Sequence, residues 1–591
     1  MKRNMFRFLS LLLALCLFTG CALAQGFDAF NVTEGEGPRV HTVEQDEYPI
    51  YNYQADEMVP YHFPLYFLDG VKDLPYADLE AAVQLLNDLE ELPEGEQRFD
   101  GIAEPENHTY FINQVDSAPA IMFNFAPEDQ SILFLNYESF GTDSSKGVLD
   151  LVNSSGYDQD GLPSLLQHIP QAVPARAGES IVVSLAQYGI EIVEHEGKYL
   201  VPMHLAFDLL FCLRTHILNY FNGEAIFLVP SGAFRKGDEL TEVGKLYFTE
   251  NDGQRSETLA IYGVAELCLE LDICYGLKKS HNINSFYDFL FSQGLLTDLL
   301  DPDGATADTA LATLLEAYLD DLHTRYLMNS RYTGAGIVEH PKGISMLKDD
   351  LLCGIYEKAY NNAPKEIQTP YYECGDTAYV TFNEFQMSSD FDYYTQELTD
   401  ELIAEDNVAL TIYAHKQIYR ENSPIKNVVL DLSNNSGGEV DAAAFTMCWF
   451  VGTAPLSIAH TWTGAQATTV YKADVNLDRT FDEKDWLVDK NTFCLISPAS
   501  FSCGNLLPWV FRYSGYVTLI GEVSGGGSCA VLPMSTAWGT TYRISSPFMI
   551  SFVKNGSFYD VDQGVEPQVH LVRPASFYDR QKLTDLINNL P

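Results

Sequence analysis

The strongest chemical signal in the chain is a serine at a tight turn between an apolar run and an amphipathic segment. Phe493 to Ile496 has the composition of a buried strand, and Asn505 to Tyr513 carries apolar residues at helical spacing. Ser502 lies just before the predicted helix, where free backbone N–H groups can stabilise a developing negative charge. Its hydroxyl could act as a nucleophile or could simply cap the helix, and the residues alone leave both interpretations open.

A glycine-containing turn upstream has the same strand, turn and helix pattern. Val428 to Leu432 is typical of a buried strand, Asn434 to Gly438 ends in two glycines, and Val440 to Phe450 carries an apolar helical stripe. Glycine allows the backbone to approach a ligand closely, as an oxyanion hole requires. Taken alone, the segment is equally typical of an ordinary loop between a strand and a helix.

Taken together, these segments resemble the C-terminal-processing (tail-specific) serine peptidases. The resemblance rests on SFSCGN at 500–505 followed by GEVSGGG at 521–527, on DLSNNSGG at 431–438, and on DDLHT at 320–324. The glycine-rich turn at 524–528 lacks the lysine of the Ser–Lys branch. The chain is therefore nearer the branch of the tricorn protease core and interphotoreceptor retinoid-binding protein.

The resemblance implies roles for individual residues. Ser502 is the expected nucleophile, and His323 of the DDLHT segment is the expected general base, a role that suits a side chain with a pKa near neutral pH. The amides of Gly437, Gly438 and Cys503 are expected to form the oxyanion hole.

An acidic residue near the end of the core completes the expected catalytic group. The segment YDVDQGVEPQV at 559–569 resembles the closing segment of the family. Asp562 is the nearest match for the residue that orients the histidine, and Asp560 is the second candidate.

The implied fold is α/β, a ClpP/crotonase-like spiral peptidase core preceded by a helical subdomain, with an α+β region at the N-terminal side and no PDZ domain. The patterns along the 591 residues predict six segments: signal peptide 1–24, tether 25–47, α+β module 48–160, second α+β module 161–255, helical subdomain 256–332 and serine peptidase core 333–591.

The N-terminal segment predicts export. Lys2 and Arg3 precede an apolar run at 8–18, and Cys21 follows as the cysteine of a lipobox. This favours a lipoprotein on the outer face of the cytoplasmic membrane, whereas Ala22 to Ala24 would permit ordinary cleavage and secretion.

Charge excludes some classes of partner. The chain has 35 basic and 82 acidic residues, a formal net charge of −47. Such a surface repels nucleic acid and anionic lipid, so we expect no nucleic-acid partner and membrane contact only through the lipid anchor. The sequence does not indicate an oligomeric state.

A separate acidic segment resembles a calcium-binding loop. In DVNLDRTFDEKD, at 474–485, oxygen-bearing side chains occupy the positions typical of an EF-hand or dockerin loop. Arg479 replaces the usual glycine at the sixth position. A structural calcium site and a solvated acidic loop both remain open; the candidate ligands are Asp474, Asn476, Asp478, Thr480, Asp482 and Asp485.

The resemblance also implies that Cys529, at the end of the glycine-rich turn, lies near Cys503. An oxidising compartment would permit a disulfide between them, and two buried free thiols are the alternative.

The function implied is an exported serine endopeptidase that acts on a peptide or protein substrate and needs no cofactor for catalysis. Two alternatives stay open. One is a catalytically silent relative that binds an apolar ligand or peptide, and the other is a surface scaffold lipoprotein that uses the acidic N-terminal half.

Overall fold

The computed structural model describes residues 40–52, 57–89, 97–115, 119–136, 149–156, 161–169, 175–249 and 251–590. The predicted signal peptide, with Cys21, lies outside these residues. Among the described residues, no helix combines the length and apolar composition needed to cross a bilayer.

The N-terminal region is built mainly from short strands. Its strands are β1 (Val43–Asn52), β2 (Glu57–Leu68), β3 (Pro75–Asp78), β4 (Phe99–Glu104), β5 (Thr109–Gln114), β6 (Ile121–Asn124), β7 (Ser131–Phe134), β8 (Leu166–Ile169), β9 (Ile181–Ser184), β10 (Val193–His195), β11 (Lys198–Pro202), β12 (Leu218–Phe221), β13 (Ile226–Val229), β14 (Arg235–Lys236) and β15 (Glu239–Leu240). Its helices are α1 (Leu79–Asp88), α2 (Met203–Phe207), α3 (Leu213–Thr215) and α4 (Glu242–Tyr247), and a π-helical turn (Asp208–Cys212) joins α2 to α3.

These strands do not divide where the sequence suggested. A seven-stranded sheet has the order β10-β11-β3-β2-β1-β13-β12, so it combines strands from both predicted α+β modules. A five-stranded sheet, β4-β5-β6-β7-β9, also crosses that boundary. Strand β1 begins at Val43, inside the predicted tether, because it pairs with β2 from that residue onward.

The next region is helical, as its apolar periodicity predicts. It contains α5 (Glu257–Cys274), α6 (Phe286–Gln293), α7 (Leu296–Leu299), α8 (Gly304–Thr313) and a π-helical turn (Leu314–Leu319). The Ser256 hydroxyl caps α5 by accepting a hydrogen bond from the Leu259 N–H. Asp320 has a φ of 47°, which ends the helical path and directs the chain into the turn that carries His323.

The C-terminal region contains the remaining elements. Its strands are β16 (Arg325–Met328), β17 (Tyr371–Cys374), β18 (Thr377–Thr381), β19 (Asn427–Asp431), β20 (Ala454–His460), β21 (Gln466–Ala473), β22 (Asn491–Ile496), β23 (Val517–Gly521), β24 (Cys529–Ser535), β25 (Thr541–Lys554), β26 (Ser557–Tyr559) and β27 (Val569–His570). Its helices are α9 (Ile344–Asn361), α10 (Asp400–Glu405), α11 (Asn407–Ile418), α12 (Val440–Val451), α13 (Cys503–Ser514), α14 (Pro574–Phe577) and α15 (Arg580–Asn588).

A six-stranded sheet positions the two glycine-containing turns. Its order is β17-β18-β19-β22-β23-β27, and every neighbouring pair except β17 and β18 is parallel. Strands β19 and β22 are adjacent, with Asp431 opposite Leu495, so the turns that follow them lie at the same edge of the sheet. The α/β class predicted from the sequence is confirmed.

A second, antiparallel sheet carries the other half of the site. Strand β25 pairs with β16, β20, β24 and β26, and β8 of the N-terminal region extends the sheet beside β21. Strand β16 begins two residues after His323, and β24 directly follows the glycine-rich turn at 524–528. The two segments therefore emerge from strands that are both bonded to β25.

A buried ion pair fixes the end of β19. Asp431 accepts a hydrogen bond from Arg580 Nη2 at 2.7 Å, and both side chains are 1% exposed. The same guanidinium lies over the Tyr379 ring and donates to the Phe577 carbonyl. The C-terminal helix is thereby joined to the strand that leads into the first turn of the site.

We expect Arg580→Met to lower the free energy of unfolding by about 3–5 kcal/mol, because Asp431 would remain buried without its partner. The matched control is Lys582→Met on the same helix, which removes an exposed ion pair with Asp579 and should have little effect. Chemical denaturation of the three proteins checks this, and equal stabilities would contradict it.

Candidate active site

Ser502 occupies a strained turn at the N-terminus of α13. Its backbone has φ 56° and ψ −122°, a conformation that is costly for a residue with a side chain. Its N–H donates to the Gly526 carbonyl, and its own carbonyl accepts from the N–H groups of Asn505 and Leu506, each at 2.9 Å. The hydroxyl makes no capping bond to α13. The helix-cap interpretation is therefore wrong for this serine.

The glycines of the first turn lie directly beside this serine. A Cβ on Gly437 would lie 2.6 Å from Ser502 Cβ and 3.1 Å from its Oγ, and one on Gly438 would lie 2.2 Å from the Phe385 carbonyl oxygen. Both glycines also have positive φ, at 107° and 128°. Only glycine permits this approach of backbone to the Ser502 hydroxyl.

The predicted oxyanion donors differ in availability. The Gly437 N–H donates to Asn435 Oδ1 at 3.0 Å, so it is already used. No hydrogen bond of the Gly438 or Cys503 N–H is recorded within the described part of the chain. These two amides remain the predicted donors, and Gly437 contributes the close backbone approach.

Asn435, which the sequence reasoning did not single out, joins the two turns. Its carbonyl accepts from the Phe501 N–H at 3.0 Å, its Nδ2 donates to the Phe382 carbonyl at 3.2 Å, and it is completely buried. A Cβ on Gly504 would lie 2.6 Å from the Asn435 carbonyl oxygen. The sequence feature that could have indicated this role is the second asparagine of DLSNNSGG, the segment already matched to the family pattern.

His323 lies against the residue that precedes the serine. Its ring packs on the Phe501 ring at 4.6 Å between centroids, and the residue is 5% exposed. A Cβ on Gly527 would contact both rings, at 2.6 Å from Phe501 Cζ and 3.1 Å from His323 Cε1. Gly527 therefore lies against both His323 and the turn at 497–502 that carries Ser502, which we call the nucleophile turn.

The electrostatic environment of His323 keeps it neutral. Burial lowers its pKa to about 4, and the charges of Arg543 and Arg325 act in the same direction while Asp321 opposes them. Its Nε2 atom is buried without a hydrogen-bond partner, and no bond to Ser502 Oγ is recorded among the described residues. The predicted base is thus present and neutral, but the serine–histidine bond is not formed.

Asp562 contacts the glycine-rich turn and not the histidine ring. Its Oδ1 accepts from both the N–H and the hydroxyl of Ser528 at 3.2 Å, and its carbonyl accepts from the Gly527 N–H. Burial raises its pKa, with further contributions from Asp560 and Asp321. Asp560 is bonded to the Asp562 N–H. Neither predicted acidic residue orients His323 here, since the loop backbone satisfies Asp562.

The carboxylate nearest to His323 in the chain is Asp321. Its Oδ1 accepts the His323 backbone N–H at 3.1 Å, and its Oδ2 accepts the Thr324 hydroxyl at 2.6 Å. It shapes the turn that presents the imidazole.

Of the two states left open for Cys503 and Cys529, the structure has the free thiols and not the disulfide. Both cysteines are free and buried. The Cys503 thiol donates to the Gly438 carbonyl at 3.2 Å, and burial raises its pKa to about 12. The thiol therefore ties the nucleophile turn to the first glycine turn in place of a bridge.

The acidic loop at 474–485 folds around its own backbone. Asp485 Oδ1 accepts from the N–H groups of Val475 and Asn476, and Asp474 Oδ2 accepts from the Arg479 N–H at 2.6 Å. Arg479 has a φ of 60°, so it makes the turn that glycine usually makes at the sixth position. Burial raises the pKa of Asp485 to about 6.

In this structure, the loop at 474–485 contains no set of three carboxylates whose oxygens lie close enough together to share one metal ion. Calcium binding by Asp474, Asn476, Asp478, Thr480, Asp482 and Asp485 stays a prediction, and it would require the carboxylates to exchange some of these backbone bonds for the ion.

Comparison with known proteins identifies the core. Residues 376–571 match the model of peptidase family S41, a range that includes both turns and Asp562 and begins after His323. The expected resemblance to a serine peptidase family is confirmed for residues 376–571. The chain matches no curated protein.

The solved structures that match this chain share little sequence with it. The photosystem II D1 C-terminal processing protease is 18% identical with a TM-score of 0.25; the match covers 33% of this chain and 42% of that protein. A lipoprotein from Streptococcus agalactiae is 11% identical with a TM-score of 0.33, over 57% and 97% of the two chains. Mature CPAF in complex with lactacystin is 12% identical with a TM-score of 0.36, over 56% and 99%.

If the loop at 474–485 binds calcium, removal of the ion with EGTA should lower the melting temperature and added calcium should restore it. Asp478→Ala should abolish that response, because this carboxylate would be lost as a ligand while the buried Asp474 and Asp485 remain. Metal analysis without calcium, together with an unchanged melting temperature, would leave only a hydrogen-bonded acidic loop.

Proposed function

We propose that this protein is an exported serine endopeptidase that cleaves peptide or protein substrates with Ser502 as the nucleophile. The observation that carries the proposal is the Ser502 hydroxyl itself. This hydroxyl does not cap α13, and it lies against the Gly437 backbone at the start of that helix. The Ser502 backbone has a positive φ. Export rests on the sequence of residues 1–24.

The geometry suits acyl transfer. Attack by Ser502 Oγ on a substrate carbonyl carbon forms a tetrahedral intermediate and moves negative charge onto the carbonyl oxygen. The unbonded amides of Gly438 and Cys503 and the N-terminus of α13 are suited to receive that charge. His323 takes the hydroxyl proton and later gives it to the leaving amine.

Formation of the catalytic pair requires a local movement. The Nε2 atom of His323 is buried without a partner, and the Phe501 ring packs beside the imidazole. Catalytic hydrogen bonds are often long or poorly aligned without substrate and tighten when substrate binds. We therefore place the closing of the Ser502–His323 bond at the substrate-bound stage.

Cys503 does not compete with the serine as nucleophile. A reactive cysteine needs a thiolate, whereas burial raises the pKa of this thiol and its proton is donated to the Gly438 carbonyl. The cysteine contributes its backbone amide and a structural bond.

Ser502→Ala should abolish both peptide hydrolysis and labelling by a fluorophosphonate probe while leaving the melting temperature nearly unchanged. The matched control is Ser514→Ala at the far end of α13, where the hydroxyl donates to the Phe511 carbonyl and accepts from the Tyr516 N–H. This variant should keep both activities. Absence of labelling in the wild-type protein would favour the catalytically silent alternative, and full activity of Ser502→Ala would exclude this serine.

The pH at which kcat/KM falls to half on the acidic side should lie well below the ordinary histidine pKa of about 6.5. A base must be neutral to accept a proton, so activity rises with pH through its pKa, and the pKa of His323 is lowered to about 4. Activity should therefore be nearly complete at pH 6.

His323→Gln should reduce kcat by on the order of 10³-fold or more. His415 is a suitable control because it is also buried with its pKa lowered to about 4, and it bonds to the Trp449 indole away from the site. His415→Gln should retain the activity of the folded fraction. A profile that instead follows a group titrating well above neutrality would show that His323 is not the base.

A further inference from the structure

Four buried side chains outside the active site converge on one point. His204 lies on α2, Asp208 begins the π-helical turn that follows, and Glu266 and Glu270 lie on α5. Each pair is spaced by four residues, which places both members on one helix face. All four are at least 94% buried, and one ligand atom from each lies within 4.8 Å of the other three.

The converging atoms have no hydrogen-bond partners outside the cluster. They are His204 Nδ1, Asp208 Oδ2, Glu266 Oε2 and Glu270 Oε1, and each is buried and faces only the other members. Buried polar atoms without partners are rare in proteins and need an explanation. Here four of them face one another, which a random defect in packing would not produce.

The remaining polar atom of every member is held by a neighbour. Asn219 Nδ2 donates to Asp208 Oδ1 at 2.7 Å, and the Tyr262 hydroxyl donates to Glu266 Oε1 at 2.6 Å. Ser535 Oγ lies 3.2 Å from His204 Nε2, and the Tyr542 hydroxyl donates to Glu270 Oε2 at 3.4 Å. Such outer partners are what orient the ligands of a metal site.

The composition of the cluster also suits a cation. Three carboxylates are buried around a single imidazole. A bound divalent cation would neutralise these carboxylates in a place from which water is excluded.

We propose that His204, Asp208, Glu266 and Glu270 bind one divalent transition-metal ion, with zinc as the expected occupant. Tetrahedral ligands at zinc bond lengths of about 2.0–2.1 Å lie about 3.3–3.4 Å apart. His204 Nδ1 lies 3.2 Å from Asp208 Oδ2, 3.1 Å from Glu266 Oε2 and 4.0 Å from Glu270 Oε1. Manganese and ferrous iron accept the same donors, whereas the imidazole disfavours calcium and magnesium.

The site is structural. Four protein ligands complete a tetrahedral zinc sphere and leave no open position for a substrate or a reactive water. The metal links α2 and its π-helical turn to α5, and its outer partners lie on β12, β24 and β25. It therefore joins the N-terminal region, the helical region and the antiparallel sheet. This inference is independent of the proposed peptidase activity.

The test uses the full mature chain, purified without a polyhistidine tag from metal-replete medium and analysed by inductively coupled plasma mass spectrometry. We expect about one zinc, manganese or iron per chain. Loss of an outer partner alone lowers metal affinity by about 10–100-fold. Glu266→Gln and Asp208→Asn each remove a direct carboxylate ligand, so both variants should lose most of the metal.

The matched control is Glu316→Gln. Glu316 is also a buried helical carboxylate paired with a histidine, since its Oε2 lies 3.1 Å from His340 Nε2, but it does not belong to the cluster. This variant should keep the wild-type metal content. Retention of full metal content by Glu266→Gln would overturn the assignment.

A second measurement avoids dependence on folding of the variants. Dipicolinate should strip the metal from the wild-type protein and lower its melting temperature by at least about 5 °C, and added zinc should restore it. After the dipicolinate is removed by dialysis, added calcium should not restore the melting temperature, which separates this site from the loop at 474–485. The proposal would be refuted if the wild-type protein contained no metal and its melting temperature did not change with dipicolinate, zinc or manganese. Protons would then neutralise the carboxylates of the cluster.

Discussion

Asn435 is fully enclosed between the two turns that follow β19 and β22, so its amide must find all of its partners there. Its Oδ1 takes the Gly437 N–H, its Nδ2 donates to the Phe382 carbonyl, and its backbone carbonyl takes the Phe501 N–H. The last of these bonds fixes the residue immediately before Ser502. The position of the nucleophile is thus set by a loop that precedes it by more than sixty residues, and the parallel pairing of the two strands makes this possible.

The other half of the site depends on the antiparallel sheet. Strand β25 holds both β16, which follows His323, and β24, which follows the glycine-rich turn. The Ser502 N–H is bonded to Gly526 of that turn. A movement of β25 would therefore displace the imidazole and the support of the nucleophile together, so the elements that steady this strand also steady the site. Tyr542 on β25 contacts the cluster around Glu270, which connects the proposed metal to that support without placing it near the chemistry.

The local part of this arrangement could be predicted from the sequence. The apolar runs, the turn glycines and the helical stripes predicted the strand, turn and helix units around Gly437 and Ser502, because their periodicity is a property of neighbouring residues. What Asp562 bonds to could not be predicted, since it depends on how a distant loop packs on the glycine-rich turn. The Cys503 thiol likewise donates to the Gly438 carbonyl, a contact that depends on how two turns distant in sequence pack together. The His204 and Glu266 pairs were visible only as four-residue spacings on two helices, and only the tertiary fold shows that those helices face each other.

Buried atoms without hydrogen-bond partners distinguish the candidate active site from the proposed metal site. At the active site the buried His323 Nε2 atom lacks a partner, as suits a base that must take a proton from another group during the reaction. In the cluster around His204, four atoms from four side chains have no partner outside the cluster and face one another, as suits a ligand set that a bound ion completes. Burial lowers the pKa of both histidines. It keeps His323 neutral, whereas the carboxylates around His204 outweigh burial and raise its pKa. A neutral imidazole without a partner is ready for proton transfer, whereas an imidazole enclosed by three carboxylates is suited to hold a cation together with them.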